Sequence, residues 1–490
     1  MSHFKLPATW GETRSILIKF AWIVFLVTLP VTSFPYFPAD LGGRTLVRPL
    51  GVYPLIVLML LATLPRLFTL PLPKVFLPLF AFACLASISS LLAIASGVED
   101  TLGISVAART VRTLSTLALG GGIYLTVVLL PRSLADLREA LRWIYLGFTA
   151  ALIWGSLQAI YVLQYNPAYF NFINRIQGFI SIRRLFTKRI SGLTYEPNWF
   201  AEQIVLLLVP WLIGAVISGY SVFRWRWRWV TVELGLLIWS VVVLIFTFSR
   251  AGLLVLVVLI IASGLLFILR QPKPVRGEGR PRTLDRPAVR IGLAILIVTV
   301  VLGATFAAGT QNNYFSRIWR YWIERPENRT FFEYIAFDQR FVYWQTAYRI
   351  YTLNPLFGVG LGNYTYYFAD QLPDQPWYTH PEILSLITPR GGNISLITPK
   401  NLYIRLLSET GLIGLAAFLA FGNGVLVCAL YLLFSREKEQ RYWGRAGLLG
   451  IIAIGVGAFA FDSFALPNMW VVFGLITAAA WLLGRRTVDT

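Results

Sequence analysis

The sequence predicts an all-α polytopic membrane bundle of about twelve transmembrane helices, with a large extracytoplasmic loop that carries an amphipathic helix. Three observations lead there. Of the 490 residues, 57% are hydrophobic and only 13% charged, against about 25% charged in a soluble domain. Apolar runs of about 20 residues, the length that crosses a hydrocarbon core, recur along the chain. Basic residues punctuate these runs instead of gathering on a polar domain. The net charge of +20 therefore reads as membrane-loop asymmetry, and no nucleic-acid partner is expected.

The candidate spans are 15–33, 50–65, 75–97, 113–130, 141–164, 199–219, 230–248, 251–269, 291–309, 402–434, 446–463 and 467–484. Lys5, Arg14 and Lys19 precede or enter the first span, and no small-residue cleavage site follows in Thr28–Pro38, so that span reads as a retained helix. On the N-terminal side fall Arg66 and Lys74, Arg132 to Arg142, and the FRWRWRW run Phe223–Trp229. Arg270 to Arg290, Arg436 to Arg445, Arg485 and Arg486 follow. With the first three they make 24 of the 43 Lys and Arg residues, which assigns that side, and with twelve spans both termini, to the cytoplasm. The Pro-, Gly- and Arg-rich stretch 271–290 is then an inner loop, and 166–198 and 311–400 lie outside. The chain divides into N-terminal transmembrane helices (1–140), central helices with a first outer basic loop (141–310, loop 165–198), the large outer loop (311–400) and C-terminal helices (401–490).

Cys84 and Cys428 lie inside apolar segments, and the only histidines are His3 and His380. That leaves too few ligands for a thiolate or histidine metal site, so no metal and no cofactor is expected.

The outer loops hold the informative chemistry. The first carries Arg175, Arg183, Arg184, Lys188 and Arg189 against one acid, Glu196. In the second, Tyr334, Phe337, Phe341, Trp344, Tyr348 and Tyr351 recur at spacings of three and four, the pattern of one apolar helix face. Arg340 borders that stripe, and Asn354-Pro355 ends the helix. The aromatics read most simply as a surface helix resting on lipid or on the bundle.

Four motifs are expected at outer helix ends: Arg189-Ile-Ser-Gly192 with Glu196-Pro-Asn198, Ser249-Arg250-Ala-Gly252, Asn354 to Asn363, and Lys400-Asn401-Leu-Tyr403 continuing to Ser408-Glu409-Thr-Gly411. Together they supply fixed cations, glycine-rich backbone and few titratable bases. Arg189, Arg250 and Arg340 suit a diphosphate, because guanidinium forks match phosphate oxygens in paired hydrogen bonds. Arg250 interrupts a long apolar stretch, where a charge is costly unless used; snorkelling from a helical hairpin is its plainer explanation. The Gly358–Gly362 run lacks a Walker lysine and the Rossmann spacing, and a tight turn accounts for it. Glu202 and Glu409 lie inside helices and are expected to pair with the outer arginines and orient them, as is Asp462.

These residues resemble the O-antigen ligase and O-antigen polymerase superfamily. The matching pieces are RISGLTYEPN (189–198), FSRAG (248–252), NPLFGVGLGNY (354–364), KNLYIRLLSETGLIG (400–414) and, more loosely, FDSFALPNMW (461–470). The resemblance covers most of 140–475 and implies an all-helical, metal-independent glycosyltransferase of the broad C type. It implies polyprenyl-diphosphate-linked (undecaprenyl-diphosphate-type) glycan as donor, a glycan or lipid-linked acceptor, membrane lipids as surroundings, and a periplasmic site on the bacterial inner membrane. On that basis Arg189 and Arg250 hold the donor diphosphate and Arg340 matches an arginine of the outer helix. Asn198, Glu202, Gly360, Asn401 and Glu409 are supporting positions.

One departure matters. Ligases of this family usually carry a histidine where this sequence has Lys400. Lys400 is then either a base with a lowered pKa or a further phosphate-binding cation, the second being favoured. Glu196 is the leading alternative base, and His380, read as a solitary exposed loop residue, is third. The leading function is polymerisation of lipid-linked repeat units into a surface polysaccharide (O-antigen or exopolysaccharide). The alternative is ligation of finished glycan to lipid A core or protein, as in lipopolysaccharide assembly. An alternative of another class is a multi-helix solute transporter, against which stand the missing internal repeat and the motifs on one face.

Overall fold

A computed structural model describes residues 10–36, 46–100, 103–227, 230–268, 299–300, 302–307, 309–310, 312–327, 329–374, 380–387 and 396–486. Helix α1 (Trp10–Thr28) leads into α2 (Val52–Thr69), α3 (Phe76–Ala95), α4 (Val106–Leu129) and α5 (Leu134–Leu163). After α6 (Pro167–Gln177) come α7 (Pro197–Ser218), α8 (Val232–Phe246) and α9 (Arg250–Ile268). The long connection before residue 400 holds α10 (Asn313–Glu324), α11 (Phe331–Tyr334), α12 (Asp338–Leu353), α13 (Tyr364–Tyr367) and α14 (Pro381–Ile387). Helices α15 (Leu402–Leu433), α16 (Lys438–Gly457) and α17 (Pro467–Arg486) follow. Among the described residues the only ladder pairs Arg226–Trp227 (β1) with Val230–Thr231 (β2), within the arginine–tryptophan run and just after it.

The chain is an all-α polytopic membrane protein. Among the described residues eight helices, α2, α3, α4, α5, α7, α9, α15 and α17, are long and apolar enough to cross a membrane. Of the other four expected spans, the first and eleventh are α1 and α16, whose N-terminal turns carry charges. The seventh, α8, has 15 residues. The ninth, 291–309, falls mostly outside the described residues, as does the loop 271–290.

Local sequence explains the irregularities within the helices. In α2 and α7 a π-helical turn, Met59–Thr63 and Ile204–Leu208, ends just ahead of a proline, Pro65 and Pro210. Proline has no N–H, so the carbonyl four residues back loses its donor, and a widened turn absorbs the misfit. For Pro65 that carbonyl belongs to Leu61. Arg14 of α1 donates to it from Nε (3.0 Å) and Nη2 (2.7 Å), satisfying a group that lipid cannot.

Helices α7 and α17 are the most enclosed. Trp211 of α7 meets Trp443 of α16 edge-on with ring centroids 5.5 Å apart. Helix α15 packs along α3 and α16, α17 along α4, and α12 lies against α15.

Two expectations about the long loop change. Tyr334 is the last residue of α11, and Ala336, two residues on, has left-handed backbone (φ 54°), so the stripe spans two helices. The face that α12 buries is Val342, Tyr343, Thr346, Ala347 and Ile350. Phe341 and Tyr348 are exposed, and Trp344 and Tyr351 half-buried. Both stripes have helical period; close approach to the bundle favours the one with the smaller side chains.

Candidate functional site

Three arginines from distant segments are linked in series. Arg189, in the loop before α7, donates from Nε to the Thr247 carbonyl (2.8 Å) and from Nη2 to Asn198 Oδ1 (2.9 Å). Thr247 belongs to the turn between α8 and α9, three residues before Arg250. Arg250 donates from Nη1 to the Ile335 carbonyl at 2.6 Å, at the end of α11. Five residues on, Arg340 in the first turn of α12 donates from Nη1 to the Lys400 carbonyl at 2.9 Å. All three guanidinium side chains are half-buried.

The backbone along this series is strained. Among the described residues four non-glycines have left-handed φ, and three of them adjoin it: Phe248 (φ 47°), Ala336 (φ 54°) and Lys400 (φ 53°). Each such residue costs roughly 1–3 kcal/mol, and they concentrate at functional sites.

Lys400 is heavily engaged. Its ammonium pairs with Glu382 of α14 and lies 4.9 Å from the centre of the Tyr343 ring. The Tyr343 hydroxyl donates to the same Glu382 oxygen at 3.0 Å, and the Lys400 N–H donates to Asp462 Oδ2 at 2.8 Å. Burial acts to raise the Glu382 carboxyl. The Lys400 charge, hydrogen bonds from Lys400 and Tyr343, and the Arg340 charge outweigh burial and hold it below the usual carboxylate value.

His380 is not solitary. Its Nδ1 lies 3.2 Å from Asp338 Oδ2, and both side chains are about four-fifths enclosed. Asp338 opens α12 two residues before Arg340, and His380 precedes Glu382 by two, so the pair belongs to the same cluster. Glu196 is also engaged: Arg183 Nη1 donates to it at 2.6 Å, while the guanidinium sits over Phe186 and Tyr195. Glu202, buried in α7, is within electrostatic reach of Arg340, Asp462 and Glu196, which ties the start of α7 to the start of α12.

The remaining motif residues form a joint instead. Helix α15 breaks at Gly411 (φ 67°, ψ −172°), and the loop 355–360 takes up the freed groups. Leu412 and Ile413 donate to the Pro355 and Leu356 carbonyls, and Val359 and Gly360 donate to those of Ser408 and Glu409. Gly358, Gly360 and Gly362 all have positive φ, and a Cβ on Gly362 would lie 2.2 Å from Thr113, so the run is the tight packed turn its sequence suggested. Glu409 does not pair with an outer arginine. It accepts from Arg405 Nε (2.9 Å), one turn back, and from the Gly362 N–H (2.7 Å). Arg405 also donates to the Asp462 carbonyl, and Arg109 Nε donates to that of Gly362 at 3.0 Å. Asp462 thus holds Lys400 and Arg405 through backbone groups. Asn401 is the N-cap of α15, accepting from Tyr403 and Ile404.

Sequence reasoning missed Glu382, Tyr343 and Asp338, which fix the candidates, and Arg405 and Arg109, which lock the joint; it named Arg183 only as one of the loop cations facing Glu196. It also missed Gln158, whose side-chain Oε1 accepts from the Ser191 and Gly192 N–H groups (both 2.9 Å) and so shapes the loop carrying Arg189. Among the described residues no group of His, Cys, Asp and Glu has metal-site geometry.

Residues 234–419 match the family model for O-antigen ligase. The match contains Arg250, Arg340, Gly360, His380, Glu382, Lys400, Asn401 and Glu409, and stops short of Arg189, Glu196, Asn198, Glu202 and Asp462. No curated protein matches the chain. Over residues 234–419 this polytopic membrane protein is therefore similar to the O-antigen ligase family.

Proposed function

We propose that the Arg189–Lys400 cluster transfers a polyprenyl-diphosphate-linked oligosaccharide to a sugar hydroxyl on the periplasmic face, and that the product is a polymerised surface polysaccharide. The observation that carries this reading is the linkage of three arginines from three segments around strained backbone. In the reaction the acceptor oxygen attacks the anomeric carbon, the carbon–oxygen bond to the diphosphate breaks, and the diphosphate leaves with the electron pair. Arg189, Arg250 and Arg340 stabilise the charge that grows on it, with Lys400 as a fourth cation. Without a histidine at position 400, the hydroxyl proton goes to His380. Asp338 accepts the Nδ1–H, which leaves the Nε2 lone pair as the base. Glu196, already committed to Arg183, comes second.

The matched family's description favours a second reading, ligation of finished glycan to lipid A core or protein. Deletion of the gene and analysis of surface glycans separates the two. Single repeats still attached to their acceptor mean polymerase; full-length polymer retained on its lipid carrier means ligase. Unchanged surface glycans would overturn both. The assigned side of the membrane is tested in a cysteine-less background: a cysteine at Asn313 should label with an impermeant thiol reagent in intact cells and one at Gly279 should not.

A further inference from the structure

Helix α12 buries Val342, Tyr343, Thr346, Ala347 and Ile350 and leaves Tyr348 exposed beside the half-buried Trp344, and at these two rings the chain opens a cavity of about 650 Å3 lined by Trp344, Gln345, Tyr348, Arg349, Pro373 and Asp374. We propose that this cavity is an oligosaccharide-binding subsite, which holds the glycan engaged at the Arg340–Lys400 cluster. The origin of that glycan rests on the transfer reading; the binding does not.

The lining suits a sugar. Trp344 and Tyr348 stand four residues apart, so their rings follow one another along one helix face, and Gln345 and Arg349 repeat that spacing one position on. A row of ring faces thus runs beside a row of polar groups. Pyranose rings need this combination, because their C–H faces pack on aromatic rings by dispersion and burial while their rim of hydroxyls seeks donors and acceptors. A lipid-facing surface would gain nothing from an amide, a guanidinium and a carboxylate placed among its rings.

A further observation points to a ligand. Arg349 is held at the rim, donating from Nη1 to the Leu372 carbonyl (2.8 Å) and from Nη2 to Asp374 (3.1 Å), so its position is set before a ligand arrives. The placement also fits. Trp344 lies one helical turn, roughly 6 Å, beyond Arg340, and Arg349 roughly 13 Å, so a chain leaving the cluster along α12 runs into the cavity.

The test uses the full chain in nanodiscs and, as probe, lipid-free oligosaccharide released by mild acid from the surface polysaccharide of the source strain. Binding is followed by isothermal titration. Wild type binds; Trp344→Ala and the exposed Tyr348→Ala weaken binding at least tenfold, and Gln345→Ala about threefold. Trp322→Ala, an exposed ring away from the cavity, leaves it unchanged. Arg250→Lys retains oligosaccharide binding while losing transfer, which separates failure of the subsite from failure of the transfer reading. In steady-state transfer, Tyr348→Ala raises KM for the acceptor if the acceptor's glycan occupies the cavity, and for the donor if the donor's does. Absence of binding by wild type, or wild-type binding by both Tyr348→Ala and Gln345→Ala, overturns the proposal.

Discussion

The joint between the Gly358–Gly362 loop and α15 differs in kind from the series that runs from Arg189 to Lys400. At the joint, loop and helix exchange backbone hydrogen bonds in both directions, and Glu409 and Arg405 close over it almost completely buried. Along the series, half-buried guanidinium groups donate to backbone carbonyls of other segments beside left-handed backbone. The first arrangement commits its backbone and its buried ion pair to holding loop and helix together. The second brings cations from three segments to one place. Motifs that look alike as strings of glycine and charge therefore divide into scaffold and candidate chemistry.

The largest effect expected from this division is on stability. Glu409→Ala leaves Arg405 buried without its carboxylate and the Gly362 N–H without its acceptor. Breaking a buried pair from one side costs about 3–5 kcal/mol, so the variant should show a steep loss of folded yield and of unfolding temperature in detergent. A variant as stable as wild type would remove the joint's structural role.

Arg250→Lys should do the reverse. Lysine keeps the charge but not the fork, and removing one preorganised donor to developing charge costs about 10²–10³-fold in rate. Folding stability should change by under about 1 kcal/mol, as for most changes on partly exposed groups. Glycan transfer by purified protein, measured beside its melting temperature, checks both halves. Near-normal transfer would take Arg250 out of the donor site.

What the sequence disclosed follows the same line. Hydropathy is local, so the apolar runs and the turns that end them were legible, and the turn motifs pointed to arginines that the fold links in series. The buried face of α12 was not, because Val342-Tyr343-Thr346-Ala347-Ile350 has the same period as the aromatic stripe, and ring size suggested burial where closeness to α15 demanded small groups. Glu382 and Asp338 were invisible as partners, since a loop acid carries no mark of the cation that folding brings to it. Arg405 was legible and overlooked: an arginine four residues before Glu409 in an apolar helix has the spacing of an ion pair.

The comparison extends to proton transfer. General-base assistance contributes about 10²–10⁴-fold, and His380 has the carboxylate that a base needs for orientation, whereas Glu196 is already engaged by Arg183. His380→Ala should therefore lower transfer about 10²-fold, with donor binding intact. Glu196→Gln should lower transfer less than that. The opposite order would return the base to Glu196 and leave the His380–Asp338 pair a structural contact.

The smallest effects belong to the Lys400–Glu382 pair. Lys400→Arg keeps a cation and cannot act as a base, so transfer should stay within about threefold of wild type, in line with the modest worth of half-exposed ion pairs. An inactive Lys400→Arg protein that binds donor normally would make Lys400 the base. The pair also has a pH signature. Because the folded state holds the Glu382 carboxyl below its ordinary value, the pairing stabilises the fold fully above the unfolded glutamate pKa of about 4.3. That contribution is lost as pH falls through the depressed value, where the carboxyl takes up its proton. Wild type and Glu382→Gln should therefore differ in melting temperature by a constant amount from pH 7 down to about pH 4.3, then converge in more acid solution. A difference that persists unchanged at the acid end would mean that packing around Tyr343, and not the charge on Glu382, is what α14 contributes to this corner of the site.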